Sequence, residues 1–185
     1  MFKKKSNTIA LYGGSFDPPH IGHEAVVQEL LSYKQIDEVL IMPTFLNPFK
    51  EGSFAPASLR LAWLQKMFKE SPRVKVSSFE VDLKRKVPSI ESVEYLLKSY
   101  KKIYFVIGAD NLNSLKSWYK TEELHSKVSF IVAQRNGIKV PDTYLTLNVD
   151  CDVSSSTLRE KMDKNRLPTV VAESIIQYYK DINER

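Results

Sequence analysis

At 185 residues, with 43% apolar and 11% aromatic side chains, the chain is long enough to bury a sizeable core and reads as one domain over 1–185. No apolar run approaches the roughly 18 residues of a membrane span, residues 1–5 lead into no signal-peptide apolar region, and one cysteine excludes an internal disulfide framework, so a soluble cytoplasmic protein is expected. The net charge of +5 favours anionic ligands, but the lysines are scattered rather than striped, and no nucleic-acid or membrane partner is expected.

The apolar run at 8–12 predicts a short buried strand. Gly13-Gly14-Ser15-Phe16-Asp17-Pro18-Pro19-His20-Ile21-Gly22-His23 follows it, ahead of a helical pattern with Ala25, Val26, Leu30 and Leu31 on one face. The block is therefore a strand-to-helix turn. Gly13 and Gly14 have no Cβ, so the backbone bends sharply and a ligand can come close. A helix starting near His20 turns unpaired N–H groups and partial positive charge back at that turn, an arrangement that binds anions, phosphate above all. His20 and His23 are three positions apart and share one helix face, with Gly22 leaving room between them. Asp17 before Pro18-Pro19 suits a side-chain-capped turn. Zinc would need a third and fourth ligand, and His125 and Cys151, the remaining histidine and cysteine, lie far along the chain.

A second strand is expected at 38–42, ended by Pro43. The long aromatic loop 44–54 carries Lys50, which can reach a phosphate. A helix is expected at 57–69 with an apolar stripe through Leu59, Leu61, Ala62, Leu64 and Phe68, then a short strand at 74–77. Residues 81–88 read as charged and irregular. Ser89 is expected to cap a helix running to about position 100. The run at 103–107 has the continuous apolar character of a strand buried on both faces. Gly108-Ala109-Asp110 turns out of it towards a short helix and its exit, with Leu112, Leu115, Trp118 and Tyr119.

Thr121 is expected to cap a further short helix. A fifth strand is expected at 128–132, a turn at Arg135-Asn136-Gly137, and a further strand at 144–147. Ser154-Ser155-Ser156-Thr157 then places hydroxyls at a helix start. One of them suffices as an N-cap; the surplus, with Arg159 one turn on, could instead hold phosphate. Pro168 is expected to open a last helix to about 180.

Strands and helices alternate throughout, which gives an α/β fold: a doubly wound parallel sheet, with a small helical C-terminal part. Ligands of such sheets sit beyond the carboxyl ends of the strands. The Gly13 turn, the Lys50 loop, Gly108-Ala109-Asp110 and Arg135 all fall there, which argues for one composite site.

The block GGSFDPPHIGH resembles the nucleotide-binding block of the HxGH nucleotidyltransferase superfamily, with His20-Ile21-Gly22-His23 as the signature. Over nearly the whole chain the motif order is similar to that of the bacterial nicotinate-nucleotide adenylyltransferases. Pro43 through Asn47-Pro48-Phe49-Lys50 resembles their proline-rich loop, of which only the second proline and Lys50 are kept. Ile107-Gly108-Ala109-Asp110-Asn111-Leu112 with Trp118-Tyr119, Arg135 with Gly137, and Val153-Ser154-Ser155-Ser156-Thr157-Leu158-Arg159 match later motifs. One departure is clear: the family's Pro-Ser-Tyr-Thr stands here as Pro88-Ser89-Ile90-Glu91, so the acceptor pocket is expected to be modified.

The resemblance implies a Rossmann-like nucleotidyltransferase fold and transfer of AMP from ATP to nicotinate mononucleotide, giving deamido-NAD and pyrophosphate. It implies catalytic roles for His20 and His23. ATP would be bound by Gly13, Gly14, Ser15, Phe16, His20, His23, Gly108, Asp110, Ser154, Ser155, Ser156 and Arg159. The acceptor would meet Lys50, Trp118, Tyr119 and Arg135. Mg²⁺ would arrive on the ATP phosphates rather than in a protein cage. A homo-oligomer stays open. The rival acceptors are nicotinamide mononucleotide and phosphopantetheine, the latter opposed by Trp118-Tyr119 and the Ser154 motif. A class I aminoacyl-tRNA synthetase would need a longer chain and a KMSKS-like lysine pair. A non-catalytic nucleotide-binding regulator would bind ATP without releasing pyrophosphate.

Overall fold

A computed structural model describes residues 6–134, 138–149, 151 and 153–184; the turn expected at Arg135-Asn136-Gly137 lies outside the described residues. Six strands form one sheet: β1 (Ser6–Gly14), β2 (Glu38–Pro43), β3 (Val74–Val76), β4 (Tyr100–Gly108), β5 (Ser129–Gln134) and β6 (Leu145–Asn148). All pair in parallel, in the order β3-β2-β1-β4-β5-β6. The order reverses at β1. The chain winds outward through β2 and β3, then returns to the other side of β1 and winds through β4, β5 and β6. Such a reversal opens a crevice at the carboxyl ends of β1 and β4, and ligands of doubly wound sheets bind in it.

The helices are α1 (Ile21–Ser32), α2 (Ala57–Met67), α3 (Phe79–Leu83), α4 (Ser89–Leu97), α5 (Leu112–Leu115), α6 (Thr121–Lys127), α7 (Ser155–Glu160) and α8 (Ala172–Asn183). Successive strand residues point to opposite faces, and the two halves of the core follow that alternation. Ala10, Val39, Ile41, Tyr104, Val106, Ile131 and Leu147 meet Val27 and Leu30 of α1 and Leu64 of α2. Ile9, Leu11, Leu40, Ile103, Phe105, Ile107 and Val132 meet Ile90, Val93 and Leu96 of α4, Leu115 of α5 and Leu124 of α6. Helices cover both faces, as continuous apolar strands require. A third cluster joins Trp63 of α2 to Leu158 of α7 and Val171, Ala172, Ile175 and Tyr179 at α8, forming the helical C-terminal part. No helix among the described residues is long and apolar enough to cross a membrane.

Several expected boundaries move. Residues 79–83, read in part as charged and irregular, form α3, a helix too short to show a period. Ser89 is the first residue of α4, and Pro88 occupies the N-cap position. That helix ends at Leu97, because Tyr100 already pairs with Ser6 as the first residue of β4. Thr121 does not cap α6; Lys120 precedes it at φ 53°, and the Thr121 hydroxyl donates back to the Leu115 carbonyl at 2.9 Å. Pro168 heads a turn closed by the Val171 N–H, so α8 starts only at Ala172.

Candidate active site

β1 delivers Gly13 and Gly14 beside Met42 and Pro43 of β2, and the Gly14 carbonyl accepts from the Thr44 N–H at 2.9 Å. Beyond it the chain turns through Phe16, at φ 50°, and enters α1 with His20 as its N-cap. His20 is 3% exposed. Its ring stacks on that of His23, with centroids 3.6 Å apart and planes at 24°. The His20 main-chain N–H donates to His23 Nδ1 at 3.1 Å. With Nδ1 accepting, the proton of neutral His23 is carried by Nε2. Gly22 leaves room here: a Cβ at that position would press to 3.0 Å on His20 Nδ1 and on Val153. At Gly108 a Cβ would lie 2.3 Å from Asp110 Oδ1, so a side chain there would displace the Asp110 carboxylate.

The loop is held from several sides. The buried Asp17 carboxylate accepts from the main-chain N–H of Phe54 at 2.8 Å, from that of Ala55 at 3.0 Å, and from the Tyr179 hydroxyl of α8. Its capping is therefore long-range rather than local. Burial drives the Tyr179 phenol up, and its bond to Asp17 adds to the effect. Arg60, 1% exposed, spends its guanidinium on main-chain carbonyls: Nε on Ala55 at 3.0 Å, Nη2 on Thr44 and Phe45 at 2.9 Å each, and Nη1 on Ser15. Burial lowers its pKa, opposed by the nearby Asp17 charge. Arg60 thus ties the glycine turn to the loop after β2.

The far end of the chain reaches the same loop. The Ser155 hydroxyl donates to the Pro18 carbonyl at 2.8 Å, and Arg159 Nη1 donates to the Asp17 carbonyl. Arg159 Nη2 donates to Ser156 Oγ at 3.0 Å, and its guanidinium lies 4.4 Å above the Phe54 ring. Ser154 is the N-cap of α7, accepting from the Thr157 N–H at 3.1 Å. One hydroxyl caps, that of Ser155 braces the loop, and that of Ser156 accepts from Arg159.

These parts enclose a cavity of about 330 Å³ at the switch point. Gly13, Gly14, Ser15, Phe16, His20, His23, Gly108, Asp110, Ser154, Ser155, Ser156, Arg159, Lys50 and Trp118 all line it. Tyr119 does not line it; its side chain is 64% exposed, with Lys120 over the ring. Arg135 lies outside the described residues. Trp118 stands between Phe49 on the loop, 6.4 Å away, and Phe105 of β4, 6.2 Å away. A second cavity of about 840 Å³ shares Asp110 and Ser154 with the first and is lined by Ile138, Leu158, Met162, Lys161, Lys164 and Arg166 among others.

The departure at Ile90-Glu91 has a structural outcome. Ile90 is buried in the core and Glu91 turns to an ion pair with Arg85, while Ser89 and Ser92 line the cavity. Opposite them, on α3, is Glu80. Its Oε1 accepts from the Ser92 hydroxyl at 2.6 Å, and burial pushes its pKa up to about 7. Thr44, Glu80, Ser92 and Arg60 escaped sequence reasoning. Each is unremarkable locally and takes its position from contacts made elsewhere in the chain.

A doubly wound sheet whose switch-point crevice carries stacked imidazoles at one helix start and serines at another has the layout of a nucleotidyltransferase. Residues 11–161 match the family model described as cytidylyltransferase-like. A protein of Sulfurimonas denitrificans described as a probable nicotinate-nucleotide adenylyltransferase is 53% identical over 95% of this chain and 96% of its own length. One of Campylobacter jejuni with the same description is 42% identical, over 95% of this chain and 98% of its own. The solved Plasmodium falciparum nicotinic acid mononucleotide adenylyltransferase complexed with NaAD superposes with a TM-score of 0.78 at 21% identity, covering 95% of this chain and 98% of that one, a likeness of fold. The chain belongs to the nicotinate-nucleotide adenylyltransferase family.

Proposed function

We propose that the protein transfers AMP from ATP to nicotinate mononucleotide, forming deamido-NAD and pyrophosphate. The observation that carries this reading is the convergence of the amino-terminal imidazole loop and the Ser154–Arg159 segment on one cavity that also holds Trp118 and Lys50. Sequence relatives described as nicotinate-nucleotide adenylyltransferases support it.

In this reading the acceptor phosphate oxygen attacks the α-phosphorus of ATP. The new P–O bond forms as the bond to the bridging oxygen of the β-phosphate breaks, and pyrophosphate leaves with that electron pair. A phosphomonoester has a second pKa of about 6, so the nucleophile is already dianionic at neutral pH and no general base is needed. Catalysis is positioning plus stabilisation of charge on the non-bridging and leaving oxygens.

We assign the α-phosphate contacts to His20 and His23, His23 through its Nε2–H. Gly13, Gly14, Ser15 and Phe16 supply a close backbone floor. Ser154, Ser155, Ser156 and Arg159 hold the leaving pyrophosphate, and Gly108 and Asp110 the nucleoside. The second cavity, joined to the first through Asp110 and Ser154, is assigned to the adenosine end. Lys50 attends the acceptor phosphate and Trp118 stacks on the pyridine ring.

No group of three or more His, Cys, Asp and Glu side chains among the described residues is arranged to hold a metal ion. Phosphate oxygens and water suit Mg²⁺, which keeps much of its hydration, so Mg²⁺ is assigned to the ATP phosphates, whose charge it offsets. We assign the enzyme to the reducing cytoplasm, which its lone free cysteine suits.

Chromatographic identification of the product tests the reading. ATP with nicotinate mononucleotide should give a deamidated dinucleotide and equimolar pyrophosphate. Faster turnover with nicotinamide mononucleotide or phosphopantetheine would replace the acceptor, and ATP binding without turnover would leave a regulator.

A further inference from the structure

Among the described residues, Thr44, Glu80 and Trp118 line the first cavity and each carries a buried side-chain polar atom with no hydrogen-bond partner: Oγ1, Oε2 and Nε1. Buried polar atoms are normally paired, and orphans gathered on one cavity wall point to a ligand that pairs them. Glu80 is the most informative. It lines the cavity, it is 7% exposed, its Oε1 is fixed by Ser92, and its Oε2 is buried with no hydrogen-bond partner.

Its position selects which end of the ligand it meets. Phe79, beside Glu80 in α3, packs in the same core cluster as Ile90 and Val93 of α4 and as Trp118. Phe16, beside the stacked imidazoles, packs in the cluster on the opposite face of the sheet. Glu80 therefore belongs to the Trp118 end of the cavity, away from the groups assigned to the triphosphate. A carboxyl would be out of place among phosphates. At the end where a planar ring stacks, it can read what that ring carries.

We propose that Glu80 is a specificity residue for the acceptor, its Oε2 donating a hydrogen bond as a carboxylic acid to a carboxylate on the pyridine ring and, when ionised, repelling that carboxylate and accepting from a carboxamide instead. This rests on the adenylyl-transfer reading above. The raised pKa of Glu80 keeps the acid form populated up to neutral pH. Glu91 of α4 adds repulsion, and Asp17, His20, His23, Lys50, Asp110 and Arg159 are the other charged or titratable groups on the cavity wall. The site's choice between carboxylate and carboxamide thereby becomes dependent on pH.

The test is the ratio of kcat/KM for nicotinate over nicotinamide mononucleotide from pH 6 to 8, in the wild type and in Glu80→Gln. Both acceptors carry the same phosphate, so its titration cancels in the ratio. The wild-type ratio should fall about 10-fold across that range, following the acid fraction of a group titrating near 7. Glu80→Gln keeps an acceptor for Ser92 and a donor for the ligand and does not titrate, so its ratio should be flat. A flat wild-type ratio, or the same slope in both proteins, overturns the role of Glu80 alone. Absence of turnover with either acceptor overturns the adenylyl-transfer reading, and the inference with it.

Discussion

The guanidinium of Arg159 donates to the main-chain carbonyl of Asp17, 142 positions earlier in the chain. The contact joins the hydroxyl-bearing start of α7 to the loop that presents His20 and His23. Arg159 is thus both a candidate phosphate ligand and a brace. Arg159→Ala should raise the KM for ATP about 10-fold or more, the loss of one charge-assisted contact or slightly more, and lower the melting temperature. Arg159→Lys keeps the charge but lacks the fork that serves Asp17 and Ser156 together, and should recover only part of both effects. Unchanged ATP affinity in the alanine variant would leave the serine cluster a helix cap and nothing more.

A second brace comes from α8. Tyr179→Phe removes the hydroxyl from a buried carboxylate and should destabilise the fold by about 1.5–3 kcal/mol, the range for hydrogen bonds to charged groups. Urea unfolding measures this. A cost near zero would mean that the Phe54 and Ala55 N–H groups satisfy Asp17 by themselves.

Trp118 is expected to act on the acceptor alone. Trp118→Ala should raise the KM for nicotinate mononucleotide well above any change for ATP, while Trp118→Phe, which keeps a ring to stack, should fall between. A larger effect on ATP would return Trp118 to core packing against Phe105.

The charge on Glu80 also has a stability signature. Its pKa is raised from 4.5 in the unfolded reference to about 7, so between those values the folded state holds a proton that the unfolded state has released. Stability from this group is therefore present below pH 4.5 and lost as pH rises through 7. At about 1.4 kcal/mol per pKa unit the loss is on the order of 3 kcal/mol. Glu80→Gln should gain on the wild type by about that amount between pH 5 and 8 in urea titrations. A difference independent of pH would contradict the burial-driven shift.

Much of this site was legible in the sequence because its chemistry is local. Glycines, histidines and the helix start come as one block between Tyr12 and Glu24, and strand-helix alternation alone puts that block, Lys50 and Asp110 at the same sheet edge. What could not be read is what tertiary contact decides. Arg60 lies outside the apolar stripe expected of its helix, yet it is buried with four main-chain carbonyls converging on it. Asp17 looked like a turn residue, yet its carboxylate is shared between Phe54, Ala55 and the distant Tyr179. Glu80 sat next to a stretch read as irregular, since a five-residue helix has no period to detect and its burial depends on Ser92 in the next helix.

The central claim is that the stacked imidazole pair and the Ser154–Arg159 segment form one site, in which an acceptor phosphate attacks ATP directly. Steady-state pyrophosphate release from ATP, with and without nicotinate mononucleotide, in the wild type and in His20→Ala, tests it most directly. Release should require the acceptor and should fall about 10²–10³-fold in kcat in the variant, with folding retained, as for loss of one preorganised donor to transition-state charge. Acceptor-independent release, or near-normal turnover by a folded His20→Ala protein, would contradict it.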